Sequence, residues 1–295
     1  MENSSVNDAV YVTPMVVTSK EDCEFYHVMD VPGEGVCGGK WDLRNEVDAY
    51  LGGFDFKGKR VLELGAASGF LCFEMEKKGA EVVSYDIGDD QKWDMVPFAQ
   101  YDYKSHIKPF REYTDGFKKA YWYAHKAHNS SAKVVYGSIY DVPEEIGVVD
   151  VATFGSILLH LRNPFAALET SLRLVKESVV ITDMMPSGGV VSTERSFVSW
   201  LVKSVRSLVK GEEIAPRKSK RPYMVFLPEF KTLQHKEVWW SLSPEIIVAY
   251  LGILGFEETE VTYHGSELNG KDVKLFTVVG KRTKHGDFIG DQFEE

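Results

Sequence analysis

The stretch that decides the fold is KRVLELGAASG, which occupies residues 59–69. Its first half is a short apolar run that ends at Gly65, as expected for a buried strand. Its second half is a turn that ends at Gly69, and the apolar pattern that follows predicts a helix over residues 70–78, closed by two lysines and Gly79. A strand, a glycine turn and a helix in this order predict the first unit of a parallel sheet.

The same alternation continues along the chain and predicts the fold class. Further strands are expected over residues 81–85, 133–136, 150–154 and 178–182, with a closing antiparallel hairpin over residues 257–262 and 273–279. Helices are expected over residues 164–174 and 244–254, where Asn163 and Ser243 precede a proline as capping residues. We therefore predict an α/β, Rossmann-like, seven-stranded mixed sheet with helices on both faces.

Three segments fall outside this alternation. Residues 1–57 are predicted to form an N-terminal extension, residues 58–285 the main domain and residues 286–295 a C-terminal tail. Two insertions, at about 87–131 and 187–240, interrupt the main domain. Because α/β folds bind ligands at the carboxyl ends of their strands, we expect both insertions to form a substrate cap there.

Composition excludes several classes of protein. With 295 residues, 44% of them hydrophobic and 26% charged, the chain has the profile of a globular protein. No run of about 18 uncharged apolar residues occurs, so we expect no membrane span. Residues 1–10 have neither a basic start nor an apolar segment, so we expect no secretory signal.

The cysteine content and the net charge indicate the cellular compartment and the class of partner. Cys23, Cys37 and Cys72 are odd in number and form no CxxC pair, which argues against a disulfide framework or a zinc site and favours a reducing cytoplasm. The formal net charge of −10 disfavours nucleic acid as a partner, although it does not exclude tRNA.

The glycine turn and one later carboxylate predict a nucleoside-like ligand. Glycines let the backbone turn tightly and approach a ligand closely, and Asp86 follows at the end of the second strand, 21 residues after Gly65. A carboxylate there can accept both hydroxyls of a ribose. A dinucleotide fingerprint needs glycine where Ala67 and Phe70 stand, which argues against a nicotinamide oxidoreductase. A tight connection without any ligand is the alternative.

The spacing Glu63-x-Gly65-x-x-x-Gly69 resembles motif I of the class I S-adenosylmethionine-dependent methyltransferases. Residues 137–141, 155–164, 239–243 and 254–256 resemble later segments of that family. The resemblance implies S-adenosyl-L-methionine as cofactor and makes residues 58–285 a methyltransferase domain. More narrowly, residues 39–44, 67–70 and 159–162 are similar to a branch related to the tRNA wobble-uridine carboxymethyltransferases, whose cofactor is carboxylated.

The family resemblance also implies a set of cofactor residues. Gly65, Ala67 and Gly69 would pass beneath the methionine part, and Asp86 would take the ribose. Ser138 and Ile139 would flank the adenine. The remaining cofactor-binding candidates are Glu63, Gly155 and Ser156.

Catalytic and substrate residues are harder to read, because methyl transfer needs mainly alignment of the nucleophile with the methyl group. His160, just after the fourth strand, is the catalytic candidate, with a purely packing role as the alternative. The substrate-binding candidates are Trp41, Arg44, His106, Arg162 and Trp239. No acidic residue directly follows the fourth strand, so no metal is assigned.

The two insertions leave alternatives open. The aromatic and histidine side chains of residues 87–131 could line a substrate pocket or form the core of a helical addition. An amphipathic helix predicted over residues 197–209 is expected to dock as a cap or to form a homodimer contact. Basic residues within 203–221 suit either a solvated lid or a phosphate-bearing substrate such as RNA.

The leading hypothesis is methyl transfer to a small-molecule acceptor, with an O-methyl product. A tRNA base-modifying enzyme is the first alternative, and an inactive cofactor-binding scaffold is the second. The identity of the acceptor, the general base and the oligomeric state stay open at this point.

Overall fold

A computed structural model describes residues 8–89, 91, 93–186 and 221–284. Its strands are β1 (Met29–Val31), β2 (Gly35–Cys37), β3 (Trp41–Asp42), β4 (Arg60–Leu64), β5 (Glu81–Ile87), β6 (Lys133–Gly137), β7 (Val149–Gly155), β8 (Val175–Met184), β9 (Met224–Phe226), β10 (Trp240–Leu242), β11 (Glu258–Leu268) and β12 (Lys271–Lys281). Its α-helices are α1 (Val47–Tyr50), α2 (Phe70–Lys77), α3 (Tyr103–Ala127), α4 (Pro164–Leu172) and α5 (Pro244–Ile253).

The centre of the fold is an eight-stranded mixed sheet in the order β3-β11-β12-β8-β7-β4-β5-β6. The five strands from β8 to β6 are parallel, and β12 joins them antiparallel between β8 and β11. Strand β4 pairs with β5 on one side and with β7 on the other, so the chain order reverses at β4. Ligands of open α/β sheets bind at the carboxyl ends of the strands beside such a reversal.

The predicted fold class is confirmed, and the sheet has one strand more than predicted. All seven predicted strands are present, including the antiparallel hairpin of β11 and β12. The eighth strand is β3, which comes from the N-terminal extension and pairs Trp41 with Leu268 and Asp42 with Glu267. A strand of two residues is too short to produce an alternating pattern, so the sequence gives no local sign of it.

Helices cover both faces of the sheet. On one face α2 and α3 pack with the N-terminal extension, and on the other α4 and α5 pack against β7, β8 and β12. The predicted caps are present, because Asn163 accepts a hydrogen bond from the Ala166 amide and Ser243 accepts one from the Ile246 amide. Within the described ranges, no helix is both long enough and apolar enough to cross a membrane.

Residues 87–131 contain the crossover connection from β5 to β6 and an additional loop. The 25-residue α3 leads from β5 to β6, so the excess over a simple crossover is the loop of about residues 88–102. Tyr121 and Trp122 of α3 are buried in the core, which decides between the two alternatives for these two rings. The helix predicted over 197–209, the basic residues from 203 to 220 and the tail at 286–295 lie outside the described residues.

Candidate active site

The loop between β4 and α2 has an unusual backbone. Gly65, Ala67 and Gly69 all have positive φ angles, of 85°, 47° and 87°. A Cβ atom at Gly65 would lie 2.7 Å from Cδ1 of Ile157, and one at Gly69 would lie 2.7 Å from Cδ2 of Tyr121. Both glycines are therefore required by backbone conformation and by close packing. Ala67 adopts the left-handed region although it carries a side chain.

Asp86 is held in place by the backbone around it. Its Oδ2 accepts a hydrogen bond of 2.8 Å from the Ala67 amide, and its Oδ1 accepts one of 2.7 Å from the Ile87 amide. Burial raises the pKa of Asp86, while these two hydrogen bonds and the Lys118 ammonium group act in the opposite direction. Each carboxylate oxygen keeps lone-pair capacity for a further donor. This fixed carboxylate at the end of β5 fits a ribose with two adjacent hydroxyls.

Glu63 lies inside the protein, in a buried polar network. It is 2% exposed and accepts a 2.7 Å hydrogen bond from Oγ of Ser84. Ser84 in turn accepts a hydrogen bond from the hydroxyl of Tyr121, whose ring packs against Gly69. Burial raises the pKa of Glu63 to about 7. Glu63 thus supports the glycine loop from inside the protein, through Ser84 and Tyr121.

The loops after β5 and β6 form the neighbouring part of the site. The Gly88 amide donates to the Gly137 carbonyl, and the carbonyls of Ser138 and Ile139 accept from the hydroxyls of Tyr85 and Thr170. A cavity of about 210 Å³ opens directly after Asp86. It is lined by Ile87 at the end of β5, by the loop residues Gly88, Asp89 and Trp93, and by Arg111, Thr114, Asp115 and Lys118 of α3.

The loop after β7 packs onto the glycine loop. Ser156 has a φ of 50°, its amide donates to the Thr182 carbonyl, and its Oγ lies 3.0 Å from the hydroxyl of Tyr50. The next residue, Ile157, is the one that a side chain at Gly65 would strike. The structure therefore brings Gly155 and Ser156 beside the proposed cofactor loop.

His160 and His106 both lie beside Glu237, in the second of the predicted insertions. Nδ1 of His160 lies 2.6 Å from the Glu237 carbonyl oxygen, and Nε2 of His106 lies 3.1 Å from Oε1 of the same residue. A carbonyl oxygen only accepts, so the proton of the neutral His160 ring is on Nδ1. This tautomer leaves the lone pair on Nε2 of His160.

Asp94 connects four segments. Its carboxylate accepts hydrogen bonds from the hydroxyl of Tyr140 and, at 2.9 Å, from the amide of Arg162. Its carbonyl accepts a hydrogen bond from the indole of Trp239. The guanidinium of Arg162 lies 5.2 Å from the centre of the Trp239 ring and 4.0 Å from the Asp94 carboxylate. Arg162 and Trp239 therefore meet at Asp94, as His106 and His160 meet at Glu237.

The described parts of the two insertions pack on each other. Val96 and Phe98 from the first insertion form a small buried cluster with Trp239 from the second. The Val96 amide donates to the Lys236 carbonyl at 2.9 Å, and the Trp239 amide donates to the Leu159 carbonyl. These contacts join the insertions to the loop after β7.

Trp41 and Arg44 belong to the N-terminal extension, apart from these contacts between the insertions. Trp41 is 1% exposed and donates from its indole to Oγ of Ser266 on β11. Arg44 forms ion pairs with Asp42 at 2.7 Å and with Asp30 at 3.3 Å. Both candidates thus have structural roles of their own.

Two buried polar residues stand out although the sequence assigned them no role. Asp183 ends the apolar stretch of β8, is 2% exposed, and has no hydrogen-bond partner for Oδ2 among the described residues. Burial raises its pKa to about 7. His27 is 7% exposed, and its Nδ1 has no partner in the same part of the chain. The signal for Asp183 was an acid directly after a predicted strand, but His27 gave no comparable signal.

Three solved structures are similar to this chain at low sequence identity. The N-terminal domain of EvdMO1, crystallised in the presence of SAH (S-adenosylhomocysteine) and D-fucose, is 16% identical with a TM-score of 0.53, covering 89% of this chain and 93% of its own. Magnesium protoporphyrin IX methyltransferase (ChlM) from Synechocystis PCC 6803, with bound SAH, is 12% identical with a TM-score of 0.44, covering 80% and 81%. A Burkholderia thailandensis 1,6-didemethyltoxoflavin-N1-methyltransferase is 10% identical with a TM-score of 0.45, covering 82% and 78%.

The sequence comparisons give the family. No curated protein sequence matches this chain. Residues 42–210, more than half of the chain, match the model of the methyltransferase domain family, and this range contains the glycine loop, Asp86 and the loop after β7. The chain belongs to that family and is a class I methyltransferase that uses S-adenosyl-L-methionine as its cofactor.

Proposed function

We propose that this enzyme transfers the methyl group to a hydroxyl oxygen of a small molecule. The observation that carries the proposal is the cap, in which Asp94 joins the loops after β5, β6 and β7 to Trp239. Loops joined in this way would enclose a small acceptor more readily than a folded nucleic acid. The net charge of −10 also opposes binding of a polyanion.

We assign the cofactor residues on the fit described above. The Asp86 carboxylate would accept the ribose hydroxyls, and Ser138 and Ile139 would flank the adenine. Gly65, Ala67 and Gly69 would follow the methionine part. Gly155 and Ser156 would close the site from the β7 side, while Glu63 supports the loop from within.

His160 is the proposed base for a hydroxyl acceptor. The bound cofactor supplies a methyl group that is already activated, so the protein mainly aligns the acceptor and removes its proton. The contact between Nδ1 of His160 and the Glu237 carbonyl supports this role, because it leaves Nε2 free to accept a proton.

A labelling experiment tests the acceptor class. The enzyme is incubated with methyl-labelled S-adenosylmethionine and, separately, with panels of hydroxylated small molecules, small amines and total tRNA. We expect label in the hydroxylated panel, in a product that resists mild base. Label in tRNA or in amines would contradict the proposal. Cofactor binding without transfer to any panel would favour an inactive scaffold.

The alternative of a tRNA-modifying enzyme is based on the narrower resemblance to the wobble-uridine branch. The tRNA sample in the same experiment tests it. Part of that resemblance lies in residues 39–44. Here Trp41 pairs in β3 and Arg44 is engaged by two carboxylates, so both residues have roles in the fold that require no RNA.

The variant His160→Asn separates a base from a packing residue. The asparagine amide can still donate to the Glu237 carbonyl, but it cannot accept a proton. With a hydroxyl acceptor we expect a loss of kcat of about 10²-fold or more with S-adenosylhomocysteine affinity unchanged. Activity within threefold of the native enzyme would assign His160 to packing alone.

We include two sequence-based predictions, on localisation and on the role of residues 197–209, in this proposal. The cysteine content favours the cytoplasm, and the amphipathic residues 197–209 favour a cap or a homodimer contact. Sedimentation at several protein concentrations distinguishes a monomer from a dimer.

A further inference from the structure

His27 presents an unpaired polar atom inside the protein. The side chain is 7% exposed, and Nδ1 has no hydrogen-bond partner among the described residues. Buried polar atoms in proteins are nearly always paired, so an orphaned ring nitrogen points to a partner that the described residues do not supply.

The ring lies beside the first residue of α2, and the neighbouring backbone is hydrogen-bonded to the glycine loop. The amide of the preceding residue, Tyr26, donates a 3.1 Å hydrogen bond to Oγ of Ser68, within the glycine loop. The His27 ring centre lies 5.5 Å from that of Phe70, the first residue of α2, and 6.0 Å from that of Trp41. The extension thus holds the His27 ring where the glycine loop becomes helix.

The charge of this place favours an anion. The first amides of an α-helix have no partner within the helix and carry partial positive charge. Burial lowers the pKa of His27 to about 3, so the ring is neutral at physiological pH. A neutral imidazole has one N–H donor and one acceptor nitrogen, which suits a hydrogen bond to a carboxylate without introducing a buried charge.

We propose that His27 binds the amino-acid end of the cofactor, with Nδ1–H donating to its α-carboxylate. This inference deepens the proposed placement of the methionine part along Gly65, Ala67 and Gly69 and rests on it. It gives the N-terminal extension a specific role in cofactor recognition.

Two ligands isolate the contact. S-adenosylhomocysteine carries the amino-acid group, whereas 5′-methylthioadenosine shares its nucleoside and sulfur but lacks that group. For His27→Phe, which keeps an aromatic ring, calorimetry should give at least a tenfold weaker Kd for S-adenosylhomocysteine and a Kd within twofold for 5′-methylthioadenosine. An unchanged Kd for the first ligand, or equal losses for both, would overturn the inference.

His128→Phe is the matched control. The His128 ring stacks on Phe73 at 4.9 Å, about one turn along α2 from Phe70, and its Nε2 is also buried without a partner among the described residues. This variant removes an imidazole that follows α3 and also packs on α2, and it should leave both dissociation constants within twofold. If it weakens S-adenosylhomocysteine as much as His27→Phe does, the effect belongs to α2 packing and the inference is wrong.

His27→Asn tests the assigned atom, because the asparagine amide nitrogen occupies nearly the position of Nδ1. We expect it to recover most of the affinity lost in His27→Phe, and a loss equal to that of His27→Phe would contradict the role of Nδ1. The native protein distinguishes failure of this inference from failure of the proposed function. If the native protein does not bind S-adenosylhomocysteine, the proposed cofactor site itself is wrong. If the native protein binds it and His27→Phe binds it equally well, only this inference is contradicted.

Discussion

The backbone amide of Ala67 donates a 2.8 Å hydrogen bond to Oδ2 of Asp86, and it does so from a left-handed backbone conformation with φ at 47°. The contact joins the loop after β4 to the end of β5. Backbone strain in the loop and the position of the carboxylate are therefore linked. We expect substitutions at residue 67 to change the position of the Asp86 carboxylate.

Substitutions at Ala67 test this link. Ala67→Gly should leave the free energy of unfolding within about 1 kcal/mol, because relief of strain is offset by the freedom of glycine in the unfolded chain. Ala67→Val should cost roughly 1–2 kcal/mol and weaken S-adenosylhomocysteine, since a β-branched residue resists positive φ. Urea unfolding and calorimetry measure the two effects.

Asn129→Val is the control for Ala67→Val. Asn129 is exposed after α3 and has a φ of 50°, so the substitution imposes comparable strain away from the glycine loop. It should lower stability and leave ligand affinity unchanged. Ligand binding by Ala67→Val with native affinity would break the proposed link.

Glu63 predicts a pH dependence of stability. Burial raises its pKa from the ordinary glutamate value of 4.5 to about 7 in the folded protein. The folded state therefore keeps a proton that the unfolded state has released, and stability falls as pH rises from about 4.5 to 7, by on the order of 3 kcal/mol. Glu63→Gln mimics the protonated form and should flatten this part of the decline.

The measurement is the free energy of unfolding of both proteins between pH 5 and 8. Asp183, whose pKa burial also raises to about 7, stays in the variant and should retain its own decline in the same direction. Parallel stability curves for the native protein and Glu63→Gln would show that Glu63 does not titrate in this range.

Asp94 should control the stability of the contacts between the two insertions. Asp94→Ala removes the acceptor for the Tyr140 hydroxyl and for the Arg162 amide, and losing such contacts costs about 1–3 kcal/mol. We expect faster hydrogen exchange at the Arg162 amide and in residues 236–240. Asp89→Ala, in the same loop, removes an exposed carboxylate paired with Lys118 and should change exchange there little. Equal exchange in both variants would contradict the role of Asp94.

The sequence predicts the fold where each element carries a local signal. The apolar run of β4 stops at Gly65, and α4 starts at Asn163 with a proline behind it, so both elements and their order follow from neighbouring residues. Strand β3 does not follow in this way, because its two residues are fixed by pairing with β11, more than 220 positions later.

The site is predictable to a similar extent. Asp86 follows from spacing, because parallel strands of similar length bring its carboxylate to the same edge as the glycine loop. The hydrogen bond from Tyr26 to Ser68 and the hydrogen bonds at Asp94 are contacts between loops, which the spacing of residues in the sequence does not predict. Residue type alone does not give the degree of burial: Trp41 is 1% exposed and packs in the core, and its substrate-binding role stays a prediction.

The measurement closest to the central claim is calorimetric titration of S-adenosylhomocysteine into the native protein and into Asp86→Ala. We expect saturable 1:1 binding to the native protein and a Kd about a hundredfold weaker in the variant, because two hydrogen bonds to a charged acceptor are lost. Unfolding curves confirm that the variant remains folded. Absence of heat with the native protein, or native affinity in Asp86→Ala, would contradict the account.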